Sequence, residues 1–226
     1  MSADRTFSVA IDGPAGAGKS TIARALARQL DAMYLDTGAM YRAIGLAMQR
    51  AGIDLEDAAA VAAGVDDIPI SVDYLGGEQH IFLGDEDVTG AVRQPEVSLL
   101  ASKVSAVPHV RERMVALQRQ IAQGHSVVMD GRDIGTKVLP DATLKVYLDA
   151  SPEVRARRRC LELAQKNMPE PYEKVLEDMK QRDWLDSHRA ASPLTRADDA
   201  VVLDSSDLAP DEVVAALRAL LEKALN

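Results

Sequence analysis

Short apolar runs alternate with stretches of helical periodicity along most of this chain. Apolar runs with the length and composition of buried strands cover residues 7–12, 33–36, 126–130, 143–149 and 200–204. After the first run, Ile22, Leu26 and Leu30 recur at helical spacing, and a second helix is predicted over Ala39–Gln49. Strands separated by helices favour a parallel sheet that is covered on both faces. The pattern therefore predicts an α/β fold with a five-stranded parallel sheet flanked by helices.

Two segments depart from this rhythm and are predicted as insertions. Apolar and polar residues alternate over residues 68–74, Gly76-Gly77 marks a turn, and another apolar run follows at 81–83, which predicts a small antiparallel hairpin or meander. The second segment, residues 155–186, is helical and charged, with two prolines at its centre. Between the insertions, Pro95–Gln123 is predicted to be mostly helical, with a break near its second proline.

The composition excludes some classes of protein. The chain has 35 acidic and 26 basic residues, a formal net charge of −9, and only 4% aromatic residues, which argues against electrostatic binding and base stacking on nucleic acid. No apolar run approaches the roughly 20 residues of a membrane span, and residues 1–6 show no secretory signal. The single cysteine, Cys160, fits a reducing compartment. We therefore expect a cytoplasmic protein without nucleic-acid or membrane partners.

The acidic residues are concentrated in one region. Residues 51–92 contain ten acidic residues and no lysine or arginine, whereas the rest of the chain has 26 basic and 25 acidic residues. This region coincides with the predicted meander. The remainder of the chain is nearly neutral, so its arginines are able to create local fields that favour anionic ligands.

The segment Gly13-Pro-Ala-Gly-Ala-Gly-Lys-Ser20 matches the G-x-x-x-x-G-K-[ST] pattern of a P-loop. It follows a predicted strand and opens a predicted helix, which is the context that the pattern requires. Its glycines let backbone N–H groups turn toward a phosphate, and the helix amino terminus adds its positive dipole end. Lys19 is suited to reach the β- and γ-phosphates, and the Ser20 hydroxyl to ligate Mg²⁺.

A P-loop predicts nucleotide binding and leaves the reaction open. A GTPase should carry an N-K-x-D element that reads the base, and the sequence has none. A motor or transport ATPase is normally larger or oligomeric. A small-molecule kinase needs a P-loop, an acceptor pocket and a cover that excludes water. The chain length and the two insertions fit this last class.

Candidate acceptor residues follow two of the predicted strands. The segments Asp36–Arg42 and Asp130–Gly135 come after the second and third strands, where open parallel sheets bind ligands. Arg42 and Arg132 are suited to bind a phosphate bidentately. Asp130 after an apolar strand matches the Walker B pattern, and is a candidate to hold Mg²⁺ through water.

A cluster of four arginines lies within Arg155–Arg159, on a helix that Ser151 is predicted to cap. They wrap around the helix, so only one or two can point at a transferring phosphoryl group, and the others are expected to pair with Glu162 or solvent. A basic nucleic-acid patch is the alternative, which a short helix without nearby aromatics supports poorly. Asp149 and Asp204 also end apolar runs, and we interpret them as caps.

A set of motifs carries a resemblance to a known family. They are Gly13–Ser20, Asp36–Arg42, Ala101–Arg111, Asp130–Gly135 and Arg182–Arg189, with the meander that ends in Leu83–Arg93. Over nearly the whole chain the sequence resembles the bacterial cytidylate kinases. The resemblance implies an adenylate-kinase-like monomer that transfers a phosphoryl group from ATP to CMP or dCMP with Mg²⁺. It also implies a core (1–37, 94–152 and 187–226), a nucleoside-monophosphate-binding region (38–93) and a lid (153–186).

The resemblance assigns roles residue by residue. The implied ATP-binding residues are Gly13, Pro14, Ala15, Gly16, Ala17, Gly18, Lys19, Ser20 and Thr21. The implied CMP-binding residues are Thr37, Arg42, Ser102, Arg111, Arg132, Asp133, Arg182, Asp186 and Arg189. Lys19 and Arg132 are implied in catalysis, with Arg158 or Arg159 as the lid arginine nearest ATP. Ser20 and Asp130 are the implied metal site.

Base chemistry is consistent with this assignment. Cytosine offers an N4 donor and acceptors at N3 and O2, so Asp133 and Ser102 are suited to accept from N4 and Arg111 to donate. Uracil would place its O4 acceptor against the Asp133 carboxylate, at a cost of about 1–3 kcal/mol. The resemblance further implies that the acceptor phosphate is held by Thr37, Arg42, Arg132 and Arg189, and the sugar approached by Arg182 and Asp186.

Other readings of the residues stay open. One is a kinase for uridylate or for a non-nucleotide metabolite, and the other is a non-catalytic module that binds a nucleoside triphosphate. Trp184 and His188 have no assigned role. We expect Trp184 to pack in the interior and His188 to lie on the surface.

Overall fold

The structure is a computed structural model that describes residues 6–94, 96–189 and 191–226. Its strands are β1 Ser8–Asp12, β2 Met33–Asp36, β3 Ile70–Leu75, β4 Glu78–Leu83, β5 Glu86–Asp87, β6 Val127–Gly131, β7 Leu144–Asp149 and β8 Val201–Asp204. Its helices are α1 Lys19–Leu30, α2 Thr37–Arg50, α3 Ala58–Gly64, α4 Val97–Val104, α5 Pro108–Ala122, α6 Pro152–Gln165, α7 Tyr172–His188 and α8 Pro210–Leu225. Residues 1–5, on which the expectation about a secretory signal depends, and Pro95 lie outside the described residues.

A five-stranded sheet with the strand order β2-β6-β1-β7-β8 forms the main layer. β1 pairs in parallel with β6 and β7, and β7 pairs in parallel with β8. Every residue of β6 and all but the first residue of β1 are buried, because helices cover both faces of the sheet. Burial on both faces explains why these strands read as continuous apolar runs instead of alternating ones. The five predicted strands and the predicted fold class are confirmed.

The predicted meander forms a separate three-stranded antiparallel sheet in the order β3-β4-β5. Leu75 pairs with Glu78 at the end of the first hairpin, so Gly76 and Gly77 are its two-residue turn. Their φ angles are 61° and 80°, in the left-handed region that such tight hairpin turns require and that glycine adopts without strain.

The chain forms two compact units. One contains the residues up to Ala32 together with Ser126–Asn226, and the other contains Met33–His125. In the second unit α2 packs closely against α4, since a Cβ built on Gly45 would lie 2.7 Å from the Cβ of Leu100. The finer division into a core, an acceptor region at 38–93 and a lid at 153–186 stays a prediction.

The helices α6 and α7 of the first unit pack on each other through Ala156, Leu163, Val175 and Met179. The prolines that interrupt the predicted helical segment lie outside both helices. Ser151 caps α6 as predicted, because its hydroxyl accepts a hydrogen bond from the N–H of Val154 at 3.3 Å.

The expectation that Trp184 packs in the interior is wrong. Its side chain is 59% exposed, because position 184 lies about half a helical turn round from the buried Val175 at about 100° per residue. Trp184 stacks on His188, with ring centroids 4.6 Å apart and an angle of 13° between the planes. His188 is exposed, as predicted. Among the described residues, no helix has both the length and the apolar character needed to cross a bilayer.

Candidate active site

The P-loop connects the buried end of β1 to the first turn of α1. Gly13 has a φ of 148°, and a Cβ there would lie 2.0 Å from the carbonyl oxygen of Leu148 in β7. Gly18 precedes α1 with a φ of 90°, again in the region that favours glycine. The loop therefore approaches the sheet closely, and backbone N–H groups at the start of α1 stay available to an anion.

Lys19 lies inside the loop and is only 6% exposed. Its Nζ donates a hydrogen bond to the carbonyl oxygen of Pro14 at 2.7 Å. Burial and the charge of Arg132 lower the pKa of Lys19 to about 7, against the opposing effect of Asp130 and Asp12. A phosphate in the loop would favour the charged ammonium and would replace the Pro14 carbonyl as its partner.

Ser20 and Asp130 supply oxygen atoms at the same place. The Ser20 hydroxyl donates to Asp130 Oδ2 at 2.8 Å, and Asp130 is buried near the end of β6. A hydroxyl and a carboxylate are the hard ligands that Mg²⁺ prefers, and Mg²⁺ usually keeps several waters and bridges to phosphates. No cluster of three or more His, Cys, Asp or Glu residues suited to a metal occurs within the described ranges. The pair therefore fits a nucleotide-bound Mg²⁺ and not a full protein cage.

Asp12, the last residue of β1, is a functional candidate that sequence reasoning passed over. It is 5% exposed, and its two carboxylate oxygens accept hydrogen bonds from the N–H groups of Ile134 at 2.8 Å and Gly135 at 2.7 Å. Burial raises the pKa of Asp12 to about 6, although these two hydrogen bonds and Lys19 act in the opposite direction. The only sequence signal was an acidic residue ending an apolar run, which Asp149 and Asp204 share.

The segment after β6 brings Arg132 to Asp186 of α7. Arg132 Nε donates to Asp186 Oδ2 at 2.9 Å, and Arg189 Nη1 lies 3.8 Å from Asp186 Oδ1. Burial acts against ionisation of Asp186, but Arg132, Arg182 and Arg189 outweigh it and hold the pKa of Asp186 below its ordinary value. The structure thus gathers three of the predicted acceptor residues, Arg132, Arg182 and Arg189, around the buried carboxylate of a fourth, Asp186. Asp133, the residue after Arg132, is also buried.

The arginines of α6 divide into those that face the P-loop and those that do not. Arg155 is 3% exposed, and donates to the carbonyl of Ala15 at 2.9 Å and to Asp183 at 2.6 Å. Arg158 approaches the carbonyl of Ala17 at 3.5 Å and donates to the carbonyl of Ser205 at 2.6 Å.

Arg159 instead pairs with Glu162 at 2.8 Å, and Arg157 is exposed. Sequence reasoning did not predict that Arg155 of α6 contacts the P-loop. Its spacing of three from Arg158, which places both on one side of the helix, was the available signal.

In the second unit, Asp36 organises the start of α2. Its carboxylate accepts from the N–H of Ala39 at 2.8 Å and pairs with Arg42 at 3.1 Å. Gln79 of the meander binds the Asp36 backbone on both sides, since it accepts from the N–H at 2.7 Å and donates to the carbonyl at 3.3 Å. Thr37, the first residue of α2, is buried. The meander therefore supports the segment that carries Thr37 and Arg42.

Arg111 is held inside the second unit. It is buried on α5, donates to the carbonyl of Ser105 at 3.1 Å, and its guanidinium carbon lies 5.2 Å from the ring centroid of Tyr41, a cation–π geometry. Ser102 is on α4, where its hydroxyl donates to the carbonyl of Ser98 at 3.4 Å. Tyr41 lies within the Asp36–Arg42 motif, but sequence reasoning gave it no role of its own.

The fold and the residues of the first unit define a P-loop kinase, with a phosphate loop, a buried lysine, a hydroxyl–carboxylate pair and clustered arginines. A crystal structure of shikimate kinase from Bacteroides thetaiotaomicron has the same fold, with a TM-score of 0.52 and 15% identity over 96% of this chain and 98% of that chain. The comparison with sequence families is more specific.

The cytidylate kinase family model matches residues 9–223. Cytidylate kinase from Mycobacterium leprae (strain Br4923) is 52% identical over 216 residues, which are 95% of each chain. Cytidylate kinase from Caldanaerobacter subterraneus subsp. tengcongensis is 53% identical over 209 residues, 92% of each chain. The chain belongs to the cytidylate kinase family and is a phosphotransferase, which confirms the resemblance.

Proposed function

We propose that this chain transfers the γ-phosphoryl group of ATP to CMP or dCMP and forms ADP with CDP or dCDP. The observation that carries the proposal is the arrangement after β6, where Arg132 and the buried Asp133 follow the Ser20–Asp130 pair of the P-loop. One short segment therefore joins the donor side of the site to groups suited to an acceptor phosphate and to a cytosine amino group. The family membership of the chain supports the same acceptor.

We assign the donor site to the P-loop and the first turn of α1. The residues assigned to ATP are Gly13, Pro14, Ala15, Gly16, Ala17, Gly18, Lys19, Ser20 and Thr21. Ser20 and Asp130 would hold Mg²⁺, Asp130 through water. When bound, Mg²⁺ neutralises charge on the β- and γ-phosphates and fixes their oxygens. Lys19 exchanges the Pro14 carbonyl for a γ-phosphate oxygen.

We assign cytosine recognition to Asp133, Ser102 and Arg111. A carboxylate and a hydroxyl accept from the cytosine N4 amino group, and a guanidinium donates to N3 or O2. The burial of Asp133 and Arg111 supports this assignment, because buried groups discriminate strongly against a base that leaves them unmatched. Uracil, with an oxygen in place of the amino group, is disfavoured at Asp133.

We assign the acceptor phosphate and sugar to the arginines around Asp186 and to the start of α2. The residues assigned to the phosphate are Thr37, Arg42, Arg132 and Arg189, and those assigned to the sugar are Arg182 and Asp186. The hydrogen bond from Arg132 Nε to Asp186 orients the guanidinium, and an oriented guanidinium forms bidentate hydrogen bonds to a phosphate at lower entropic cost.

The chemical step is an in-line transfer. A phosphate oxygen of CMP forms a bond to the γ-phosphorus while the bond to the β,γ-bridging oxygen breaks, and ADP leaves with that electron pair. The acceptor oxygen is already anionic, so no general base is required. Lys19, Arg132 and Arg158 stabilise the charge that is spread over the transferred group. We rank Arg158 above Arg159 because Arg158 approaches the loop and Arg159 pairs with Glu162.

Substitution of Asp133 tests the assignment of the base. Asp133→Ala should raise the KM for CMP far more than the KM for ATP, and should lower the preference for CMP over UMP by about 5- to 150-fold. Steady-state kinetics with each nucleotide varied in turn measure both effects. Equal increases in the two KM values would contradict a role for Asp133 in reading the base.

We further propose that the enzyme acts as a monomer in the cytoplasm. The monomer is suggested by the family resemblance, and the reducing compartment by the single cysteine. Light scattering on the purified protein tests the oligomeric state directly, and a mass near 24.3 kDa is the expected result.

A further inference from the structure

Asp12 connects the P-loop, to which we assign ATP, with the segment after β6, to which we assign recognition of the base. In the chain it immediately precedes Gly13, the first residue of the P-loop. In space its carboxylate accepts hydrogen bonds from the N–H groups of Ile134 and Gly135, which immediately follow Asp133. These contacts connect the strand that leads into the ATP loop with the segment that carries the proposed base-reading acid.

The geometry of this contact requires a carboxylate. Each oxygen of Asp12 accepts one N–H, at 2.8 Å and 2.7 Å, so a side chain with a single acceptor leaves one buried donor without its bond. The contact is also sterically tight. A Cβ built on Gly135 would lie 3.4 Å from Asp12 Oδ2 and 3.2 Å from Cδ of Lys145. The backbone of Gly135 therefore packs closely against the side chains of both Asp12 and Lys145.

The backbone after Arg132 adopts an unusual conformation. Asp133 has a φ of −144° and a ψ of 26°, and residues 134–138 form one turn with π-helical spacing. Such turns are rare and are frequent at functional sites. The N–H groups that open the turn have no partner within it, and the Asp12 carboxylate satisfies them. Burial raises the pKa of Asp12 and so disfavours its ionised form. An aspartate is nevertheless present at this position, where its two oxygens accept the two N–H groups.

We propose that Asp12 is a positioning residue for acceptor specificity, which fixes Asp133 by clamping the N–H groups of Ile134 and Gly135. It acts through Asp133 and does not itself touch the substrate. The inference rests on the proposed function, in which Asp133 reads cytosine. The added claim is that the preference for CMP over UMP depends on Asp12, the last residue of β1.

The variant Asp12→Asn tests the inference most sharply. Asparagine keeps the shape of the side chain, but it offers one acceptor and turns its NH₂ group toward the other N–H. Its kcat/KM for CMP should fall by about 10- to 100-fold and its preference for CMP over UMP by about 10-fold, with a smaller effect on the KM for ATP. Unchanged discrimination between CMP and UMP in a folded variant would overturn the proposal.

Asp149→Asn is the matched control. Asp149 also ends a parallel strand of the same sheet, but its carboxylate accepts a hydrogen bond from the N–H of Ala150 at 2.8 Å and, within the described residues, has no hydrogen bond to the segment after β6. This variant should keep the wild-type preference for CMP over UMP. A loss of discrimination equal to that of Asp12→Asn would show that any strand-end carboxylate in the sheet has the same effect, and would overturn the specific role of Asp12.

Hydrogen exchange separates this inference from the proposed function. In Asp12→Asn the amides of Ile134 and Gly135 should exchange faster than in the wild type, while the amides of β6 stay protected. Unchanged exchange at both amides would overturn the clamp, whichever nucleotide the wild type accepts. A wild type that fails to phosphorylate CMP, with exchange faster as expected in the variant, would contradict the proposed acceptor and retain the clamp.

Discussion

The hydroxyl of Ser20 donates to the carboxylate of Asp130 over 2.8 Å and joins the first turn of α1 to the end of β6. Ser20 follows the P-loop lysine, and Asp130 ends the apolar run of the neighbouring strand. The hydrogen bond therefore places side by side the hydroxyl and the carboxylate to which we assign Mg²⁺.

Removal of the Ser20 hydroxyl should weaken the binding of Mg²⁺ at the proposed site and raise the Mg²⁺ concentration that the enzyme requires. We expect Ser20→Ala to need at least about 10- to 100-fold more Mg²⁺ for half-maximal activity, because loss of a group that merely supports metal ligands already costs that much in affinity. Titration of activity with Mg²⁺ at saturating nucleotides measures this. Ser20→Thr keeps the hydroxyl and is the control, and equal Mg²⁺ requirements for the Ala and Thr variants would contradict the metal assignment.

Binding of ATP should be accompanied by uptake of a proton at Lys19. At pH 8 a lysine with a pKa of about 7 is mostly neutral, and an adjacent phosphate raises its pKa so that the bound form is charged. The second ionisation of a phosphate, near pH 6, is complete at pH 8, so the phosphates of ATP do not add to the measured proton uptake. Calorimetric titration in buffers of different ionisation enthalpy should show an uptake of about one proton per ATP.

The control for this experiment is Lys19→Gln, which has no titrating group at position 19 and should show no uptake. Phosphoryl transfer should be abolished in Lys19→Ala, since the γ-phosphate loses its buried cation. Proton release on ATP binding, or near-normal turnover of Lys19→Ala, would be incompatible with the P-loop assignment.

The arginines of α6 should differ in their effect on the chemical step. Arg158→Ala should lower kcat by about 100-fold or more, because Arg158 approaches the P-loop and is the arginine that we assign to the transferred phosphoryl group. Arg159→Ala should have a smaller effect, since Arg159 pairs with Glu162. The exposed Arg157 supplies the control variant on the same helix. A larger loss for Arg159→Ala than for Arg158→Ala would reverse our ranking.

Asp186, which we assign to the sugar of the acceptor, should also stabilise the folded protein. Its side chain is 10% exposed and neutralises the half-buried arginines around it, so Asp186→Ala leaves these like charges without a counter-charge and should lower the free energy of unfolding by about 3 kcal/mol. Urea unfolding measures this. Asp199→Ala is the control, because Asp199 is 67% exposed in its pair with Lys145 and such pairs contribute about 0–1 kcal/mol.

The stabilising contribution of Asp186 should also depend on pH. Folding lowers the pKa of Asp186, so its contribution to stability is complete above the unfolded-state pKa of about 3.9 and is lost as the pH falls through the folded-state pKa. The difference in unfolding free energy between the wild type and Asp186→Ala should therefore shrink below pH 4. A difference that grows on acidification would contradict the assigned ion pairs.

The sheet and the P-loop were predictable because their signals are local. Strands buried on both faces leave continuous apolar runs, and the loop between β1 and α1 needs glycines at fixed positions, so the strands and the phosphate loop follow from the sequence pattern. Arg42 and Arg132 became candidates for the site in the same way, since each lies shortly after a strand of a parallel sheet.

The residues that were missed act through contacts between distant parts of the chain. Asp12 and Asp149 both end apolar runs, but the carboxylate of the buried Asp12 accepts from the segment after β6, whereas that of Asp149 accepts from the next residue. Gln79 binds the backbone of a residue 43 positions away. Trp184 was misjudged because a large aromatic residue is usually buried, while its position on α7 is set by where Val175 and Met179 meet α6.

The most direct test of the account is an acceptor panel in an assay of ADP formation, with Mg²⁺ and ATP held constant. CMP and dCMP should support rapid ADP formation, UMP should be poorer by about 5- to 150-fold in kcat/KM, and shikimate should give no signal above the reaction without acceptor. A preference for UMP or for a non-nucleotide acceptor, or ATP binding without any acceptor-dependent ADP, would contradict the proposal that this chain is a kinase of cytidine monophosphates.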